Sequence, residues 1–173
     1  MGCRLLVAAG LTVLAAGCGD GKQDALGARA RFRGFAVYYV GDSFGRHRLR
    51  PNEEGGDAAG RPKSVDFLYG DCKPPADEGG CALPLDIQNE RACGRAGRRR
   101  GRGAARRLRI RGAKAAVFGE NDWLEVYTGD AIVRIHADGD LQAMRRAAEA
   151  LRSVDGRVGP DDPLPAPARQ ARC

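Results

Sequence analysis

Apolar residues in the C-terminal half recur in short segments that Gly-containing turns separate, and this pattern predicts β-strands. The segments span 108–111, 114–118, 123–128 and 131–137. Polar Glu125 alternates with apolar Leu124 and Val126, which is typical of a sheet with one solvated face. Gly129-Asp130 fits a two-residue hairpin loop that begins with Gly.

The N-terminal half contains four further segments of this kind, at 32–40, 47–50, 64–70 and 82–88. The first is rich in aromatic and β-branched residues, which favour strands, and Gly41-Asp42 ends it. Pro84 lies inside the last segment. Because proline has no N–H to donate to a neighbouring strand, this strand is predicted to lie at a sheet edge or to carry a bulge.

After the last predicted strand, apolar residues recur at spacings of three and four, which predicts one helix with a single apolar stripe. They are Leu141, Met144, Ala148 and Leu151. Asp138 or Asp140 can cap the start of the helix, and Gly156 marks its predicted end. We therefore expect an α+β fold, in which an antiparallel sheet of about six to eight strands carries one C-terminal helix on a face.

The first 20 residues differ from the rest of the chain. Arg4 precedes an apolar run from Leu5 to Leu14, and the small residues Ala15-Ala16-Gly17 lead to Cys18. This run is half the length of about 20 residues that a membrane-spanning helix needs, and it fits the apolar region of a secretory signal peptide. We therefore expect an exported protein.

The sequence Leu14-Ala15-Ala16-Gly17-Cys18 resembles the lipobox of bacterial lipoproteins. The resemblance implies that a diacylglyceryl group is attached to the Cys18 thiol and that the peptide bond before Cys18 is cut. The new amino group is often acylated too, and two or more acyl chains give stable anchoring. The protein would then be held on the extracytoplasmic face of the cell membrane. An ordinary cleaved signal, with Cys18 unused, is the alternative.

These signals predict the organisation of the whole chain. Residues 1–17 form a signal peptide, and the polar, small residues 18–31 form a flexible tether. A single α+β domain spans 32–156, with an exposed Arg-rich loop at 94–107. The Pro-rich segment 157–173 is predicted to be a disordered tail.

The positive charge is concentrated in one part of the sequence. The chain has 29 Lys+Arg and 22 Asp+Glu, a net charge of +7, and Arg4 is the one charged residue in 1–17. Nine arginines and no acid lie between Arg95 and Arg111, which leaves a net charge of −3 for the rest of the chain after Gly17. The abundance of Arg, Ala, Gly and Pro indicates a GC-rich genome, such as that of an actinobacterium.

Six cysteines fall into three groups. Cys3 leaves with the signal peptide and Cys18 is the expected lipidation site, so four remain, and these can form disulfides outside the cytoplasm. Cys72 and Cys81 flank the turn between two predicted strands, and this position favours a Cys72–Cys81 disulfide. Cys93 is a partner for Cys173 or a free thiol near Arg91 and Arg95.

Candidate catalytic chemistry is weak. Asp42, Ser43 and His47 are the residue types of a hydrolase triad, but they lie within six positions in one predicted loop, whereas triad residues usually converge from distant segments. The two histidines, His47 and His136, have no ligand-spaced partners, and neither a C-x-x-C pair nor a phosphate-binding loop occurs. We expect no catalytic residue, no metal and no cofactor.

The Arg-rich loop is either a solvated loop or a contact for an anionic partner. Anionic lipid, a cell-wall polymer and an acidic protein all fit a basic loop beside a bilayer. Nucleic acid is not expected, because the loop has no interleaved aromatic residues and the protein is exported. The residues expected to make such contacts are Arg98, Arg99, Arg100, Arg102, Arg106 and Arg107.

Segments 109–112, 123–129 and 141–151 look like the closing portion of small lipoproteins of GC-rich actinobacteria, and more faintly like domains attached to anti-sigma factors. This resemblance implies a sheet with a packed C-terminal helix and no known activity. The expected function is a non-enzymatic binding or envelope-associated module. The alternatives are a secreted hydrolase or redox enzyme with an atypical site at Asp42–His47 or Cys93, and a lipid carrier.

Overall fold

Ten strands and one helix are formed by the residues that the structure describes. In this computed structural model, residues 32–50, 64–71, 83–92 and 103–168 are described. Helix α1 spans Leu141–Glu149. The strands are β1 (Tyr38–Tyr39), β2 (Ser43–Phe44), β3 (His47–Arg48), β4 (Ser64–Tyr69), β5 (Leu85–Arg91), β6 (Arg106–Ile110), β7 (Ala113–Phe118), β8 (Trp123–Thr128), β9 (Ala131–His136) and β10 (Arg152–Ser153).

Six of these strands form the main antiparallel sheet, in the order β4-β5-β9-β8-β7-β6. Strands β6 to β9 form a meander, and β5 joins the β4–β5 hairpin to it by pairing with β9, so that Asp86 lies opposite His136. Two shorter antiparallel pairs, β1 with β10 and β2 with β3, lie beside this sheet. The predicted α+β class, with an antiparallel sheet and one C-terminal helix, is confirmed.

Helix α1 and the segments around it cover one face of the sheet. Alternate residues of each strand point to this face, and their side chains form one hydrophobic core with Met144 and Ala148 of the helix, all of which are fully buried or nearly so. Removal of this apolar surface from water is the main stabilising contribution to such a fold. The largest sheet side chains in the core are Phe67, Tyr69, Leu85, Ile87, Ile110, Leu124 and Ile135.

The helix begins and ends through local hydrogen bonds. Asp140 is the N-cap, and its Oδ1 accepts a hydrogen bond from the Ala143 backbone N–H at 2.9 Å. The helix ends at Glu149 with Ala150 as its C-cap, seven residues before the predicted end at Gly156. Gly156 instead has φ of +75° in the turn after β10, so the prediction of the helix end was wrong.

The N-terminal segment crosses the helix side of the sheet, and a buried amide holds it there. Asn89 in β5 accepts a hydrogen bond from the Tyr38 N–H at 2.8 Å and donates to the Tyr38 carbonyl at 2.9 Å and the Val65 carbonyl at 3.0 Å. Only Tyr38–Tyr39 are in a strand, so the predicted strand at 32–40 was too long. The Tyr38 N–H and carbonyl bond the Asn89 side chain, whereas in a longer strand they would bond the backbone of a neighbouring strand.

Strand β5 lies inside the sheet, between β4 and β9. The expectation of an edge strand or a bulge from Pro84 was therefore wrong. Pro84 immediately precedes the strand, which begins at Leu85 and continues to Arg91, so its missing N–H removes no hydrogen bond from the ladder. Central position is possible because the proline lies outside the paired residues.

The segment after β10 follows a defined path to residue 168, where a disordered tail was predicted from residue 157. Leu164 is buried in the core, and its N–H donates to the Arg111 carbonyl at 3.0 Å. The Ala168 N–H then donates to the Gly129 carbonyl at 2.7 Å. Proline-rich composition removes donors, but the remaining N–H groups here still find partners at the turns of the sheet.

Candidate functional site

The sheet face opposite α1 carries most of the charged side chains of the main sheet, and we call it the charged face. Its residues are Ser64, Asp66, Leu68, Asp86, Gln88, Glu90, Arg107, Arg109, Lys114, Ala116, Phe118, Trp123, Glu125, Tyr127, Ile132, Arg134 and His136. The strand register places residues of opposite charge toward opposite edges of this face. Acids lie on β4 and β5, and Lys114 and two arginines lie on β7 and β6 at the other edge.

Arg134 on the central strand β9 contacts side chains of both neighbouring strands, β5 and β8. Its guanidinium donates to Gln88 Oε1 at 3.0 Å and to Glu125 Oε1 at 3.2 Å, and lies 3.6 Å from Glu90 Oε1. Glu125 also accepts a hydrogen bond of 2.7 Å from the Tyr127 hydroxyl. The Glu125 carboxylate therefore already bonds both Arg134 and Tyr127, and its side chain is only 12% exposed.

An aromatic pair lies beside Arg134. The rings of Trp123 and Phe118 stack with centroids 5.4 Å apart, and the Arg134 guanidinium carbon lies 5.8 Å from the Trp123 centroid, within the range of a cation–π contact. The Trp123 Nε1 and the Arg134 Nε are buried and have no hydrogen-bond partner among the described residues. This half of the charged face is therefore a packed structural network with two unsatisfied donors.

Asp86 is the residue of the charged face with the most perturbed acidity. Burial, reinforced by the nearby Asp66 carboxylate, raises the pKa of Asp86 to about 6, although His136 and Arg134 oppose this shift. Its Oδ1 is buried without a hydrogen-bond partner in the described part of the chain. The folded state therefore holds the Asp86 proton to a higher pH than an exposed aspartate would.

This shift predicts a pH effect on stability that Asp86→Asn removes. The folded state holds the Asp86 proton more tightly than the unfolded state, so the wild-type free energy of unfolding should fall as pH rises from about 4 to 6. Asp86→Asn should flatten this window and raise stability at pH 7 by about 1–2 kcal/mol, less than the full shift implies because the side chain is partly solvated. Urea unfolding at several pH values measures both effects.

Glu120→Gln is the matched control for Asp86→Asn, since Glu120 is an exposed acid in the β7–β8 turn. It should leave the pH dependence of unfolding unchanged between pH 4 and 6. If Asp86→Asn keeps the wild-type slope in this range, burial of the Asp86 carboxyl does not control it.

A groove with a basic rim lies at the β6–β7 edge, where the segment 166–168 runs along the sheet. It has a volume of about 860 Å³, and we call it the basic groove. Buried Ala116 and Tyr127 contribute its apolar surface from the sheet. Three exposed cations line it, and the described lining contains no carboxylate. They are Arg107, Arg109 and Lys114.

The structure places the predicted anion-contact residues in two groups. Arg106 and Arg107 lie in strand β6 rather than in a loop, so the predicted loop at 94–107 was too long, and Arg107 lines the basic groove. Arg98, Arg99, Arg100 and Arg102 lie outside the described residues. Arg109 and Lys114 of the groove were not identified, although the alternation in Arg107-Leu108-Arg109 places both arginines on one face.

The predicted lipidation and disulfide sites also lie outside the described residues. They are Cys18, Cys72 and Cys81, as are Cys93 and Cys173. The β4–β5 hairpin on which the Cys72–Cys81 pairing was based is present, with Tyr69 opposite Leu85 at its closed end. The pairing itself stays a prediction.

The hydrolase-type residues do not form a site. Asp42 and Ser43 are exposed, and His47 lies opposite Phe44 in the β2–β3 pair. Within this described hairpin, no hydrogen bond joins the side chains of Asp42, Ser43 and His47. His136 lies on the charged face opposite Asp86, and no group of three metal-ligand side chains occurs among the residues that the structure describes.

Comparison with known proteins adds nothing to this geometry. No protein-family model, curated protein or solved structure matches the chain. In the ranges that the structure describes, no helix has the length and apolar character needed to cross a membrane.

Proposed function

We propose that this chain is a lipid-anchored protein on the extracytoplasmic face of the cell membrane, and that its domain is a non-enzymatic module that binds an anionic partner in the basic groove. The observation that supports this function is the groove lining. Within the described part of the chain, exposed Arg107 and Lys114 make no ion pair, and Arg109 donates to the Gly112 carbonyl alone, at 3.1 Å. These three charges are available to a ligand.

The form of the groove also favours binding. Its volume lies in the range of small-ligand sites, and it combines apolar surface with a few charged groups at the rim. The closest carboxylate along the sheet row, Glu125, is held by Arg134 and Tyr127. An anionic group in the groove would therefore meet three cations without direct competition from this acid.

The core packing favours a binding module over a lipid carrier. A carrier needs an apolar cavity between the sheet and the helix. Here the residues of α1 that face the sheet, Ala143, Met144, Ala147 and Ala148, are buried against the core side chains of the strands. A ligand of the described domain is better placed on the charged face.

The lipid anchor predicts that Cys18→Ser releases the protein from the membrane fraction. Without the thiol no diacylglyceryl group can be attached, so the acyl chains that would give stable anchoring are lost. Intact mass of the wild-type protein from membranes should show acyl chains on a chain that begins at Cys18. Firm membrane attachment of Cys18→Ser, or a native chain that still carries residues 1–17, would contradict the anchor.

The groove predicts that the combined change Arg107→Gln, Arg109→Gln and Lys114→Gln weakens binding of a soluble polyanion. Polyglutamate is the probe, and the protein is the chain from residue 18 with Cys18→Ser. The affinity should fall by about tenfold or more at low salt, because each lost charge removes an attraction that salt screens. Isothermal titration at two salt concentrations measures it.

Arg46→Gln, Arg48→Gln and Arg145→Gln together are the matched control, since all three residues are exposed and lie away from the groove. This control removes the same net charge and should retain wild-type affinity for polyglutamate. If it weakens binding as much as the groove change does, the groove is not the binding surface.

A further inference from the structure

The basic groove begins near the end of the sheet where β8 turns into β9 through Gly129-Asp130, which we call the Gly129 end, and it extends along β6 to Arg107, opposite Ala116. Lys114 lies opposite Tyr127, two residues before this turn, and Arg109 lies opposite Lys114. The Ala168 N–H donates to the Gly129 carbonyl at the same end. The groove therefore runs from the Gly129 end toward the middle of the sheet, with Lys114 and Arg109 nearer to this end than Arg107.

The described chain begins at the same end of the sheet. The Ala36 N–H donates to Asp130 Oδ1 at 3.0 Å, and the Gly34 carbonyl accepts a hydrogen bond from the Arg91 guanidinium. Arg91 pairs with Ala131, directly after the β8–β9 turn. Phe32 packs on Phe35 beside these contacts, so the chain from Cys18 enters the domain at the Gly129 end.

Fourteen residues, from Cys18 to Arg31, separate the proposed anchor from Phe32. Even fully extended, they hold Phe32 within about 50 Å of Cys18. The chain therefore runs from the anchor to the Gly129 end of the domain, and Arg109 and Lys114 of the basic groove lie near this end.

None of the described acids near the Gly129 end lines the groove. Glu90 on the charged face lies 3.6 Å from the Arg134 guanidinium, and exposed Asp161 is outside the groove lining. Asp130 accepts the hydrogen bond from Ala36, and Asp162 accepts one from the Gly159 N–H at 2.7 Å. Asp162 also borders Arg111 and belongs to the segment that leads to Leu164, which is buried in the core on the helix side. The three cations lie on the charged face, on the other side of the sheet.

We propose that the Gly129 end docks on the bilayer that holds the anchor, with Arg107, Arg109 and Lys114 against the headgroups of anionic phospholipids. This inference rests on the proposed anchor and on the proposed role of the groove. The three cations of the groove favour anionic headgroups as the ligand. The chain enters the domain at the Gly129 end, and this favours the bilayer as the source of those headgroups. The docked domain would expose the opposite end, with the β2–β3 hairpin, to the exterior.

Vesicle sedimentation tests this docking with the chain from residue 18 carrying Cys18→Ser, which keeps every described contact and has no acyl chain. The probes are vesicles of phosphatidylcholine alone and of phosphatidylcholine with phosphatidylglycerol. We expect salt-sensitive binding to the anionic vesicles only. The combined groove change to Gln should reduce it by ten- to a hundredfold, since a basic residue at an anionic surface contributes about fivefold.

The combined change Arg46→Gln, Arg48→Gln and Arg145→Gln should keep wild-type vesicle binding, and urea unfolding verifies that both variants fold. Equal binding to neutral vesicles overturns the docking. So does loss of binding on changing Arg98, Arg99, Arg100 and Arg102 to Gln while the groove variant binds normally. Groove-dependent binding of polyglutamate without binding to anionic vesicles also overturns the docking, and leaves an acidic polymer or protein as the partner in the proposed function.

Discussion

Asn89→Ala is expected to lower the free energy of unfolding by about 3–5 kcal/mol, because it removes both partners of a buried backbone unit. Asn89 is fully buried, and its amide bonds the N–H and the carbonyl of Tyr38. In the mutant these two groups stay buried without partners, at about 1–3 kcal/mol each. Urea denaturation measures the loss, which is a large part of the stability of an ordinary domain.

Asn89→Leu separates the lost hydrogen bonds from the lost volume. Leucine has the same branching as asparagine and is somewhat larger, but it offers no donor or acceptor, so this variant should be destabilised by about as much as Asn89→Ala. Gln88→Ala is the neighbouring control. Gln88 points to the charged face and bonds Arg134, and its removal should cost less than about 1 kcal/mol. A stability of Asn89→Leu close to wild type would show that the hydrogen bonds to Tyr38 contribute little.

Arg111→Asn should lower the free energy of unfolding by about 2–4 kcal/mol, although asparagine suits the local backbone. Arg111-Gly112 forms the β6–β7 turn with φ of +46° and +85°, a conformation that Asn-Gly adopts readily. The loss comes from the guanidinium, whose desolvation lowers the pKa of Arg111. It donates to the carbonyls of Glu149, Leu151, Gly159 and Asp162.

These contacts join the β6–β7 turn to the end of α1 and to the segment after β10. A cation at the end of a helix also interacts favourably with the carbonyl groups there. Amide exchange should therefore accelerate from residue 151 to 164 in Arg111→Asn. Arg109→Gln, two positions earlier and exposed, should change stability by no more than about 0.5 kcal/mol. Unchanged stability of Arg111→Asn would mean that water replaces the guanidinium at these carbonyls.

Arg111 shows why a sequence cluster of one residue type does not define one role. Nine arginines between Arg95 and Arg111 form a single basic stretch in the sequence. In the structure, Arg107 and Arg109 line the groove on the charged face, whereas Arg111 bonds carbonyl groups on the helix side. A two-residue turn separates these faces, so position relative to the turn decides which function each arginine can have.

The sequence alone determined the elements in which the signal is local. Short apolar segments between turns identified β4, β7, β8 and β9, Gly129-Asp130 identified the β8–β9 turn, and the stripe from Leu141 to Leu151 identified α1. Each of these depends on side chains within a few residues of one another. The lipobox-like segment gave the expected place of the protein in the same way.

Only the tertiary structure decided which elements meet. The pairing of β5 with β9 brings together residues about 40 to 50 positions apart, and it sets Asp86 beside His136 and Gln88 beside Arg134. The bond between Asn89 and Tyr38 spans 51 positions. Many strand pairings satisfy the same polar and apolar pattern, because alternation fixes which face a residue occupies but not which strand lies next to it. The basic groove, the buried amide and the Arg111 contacts all depend on that choice.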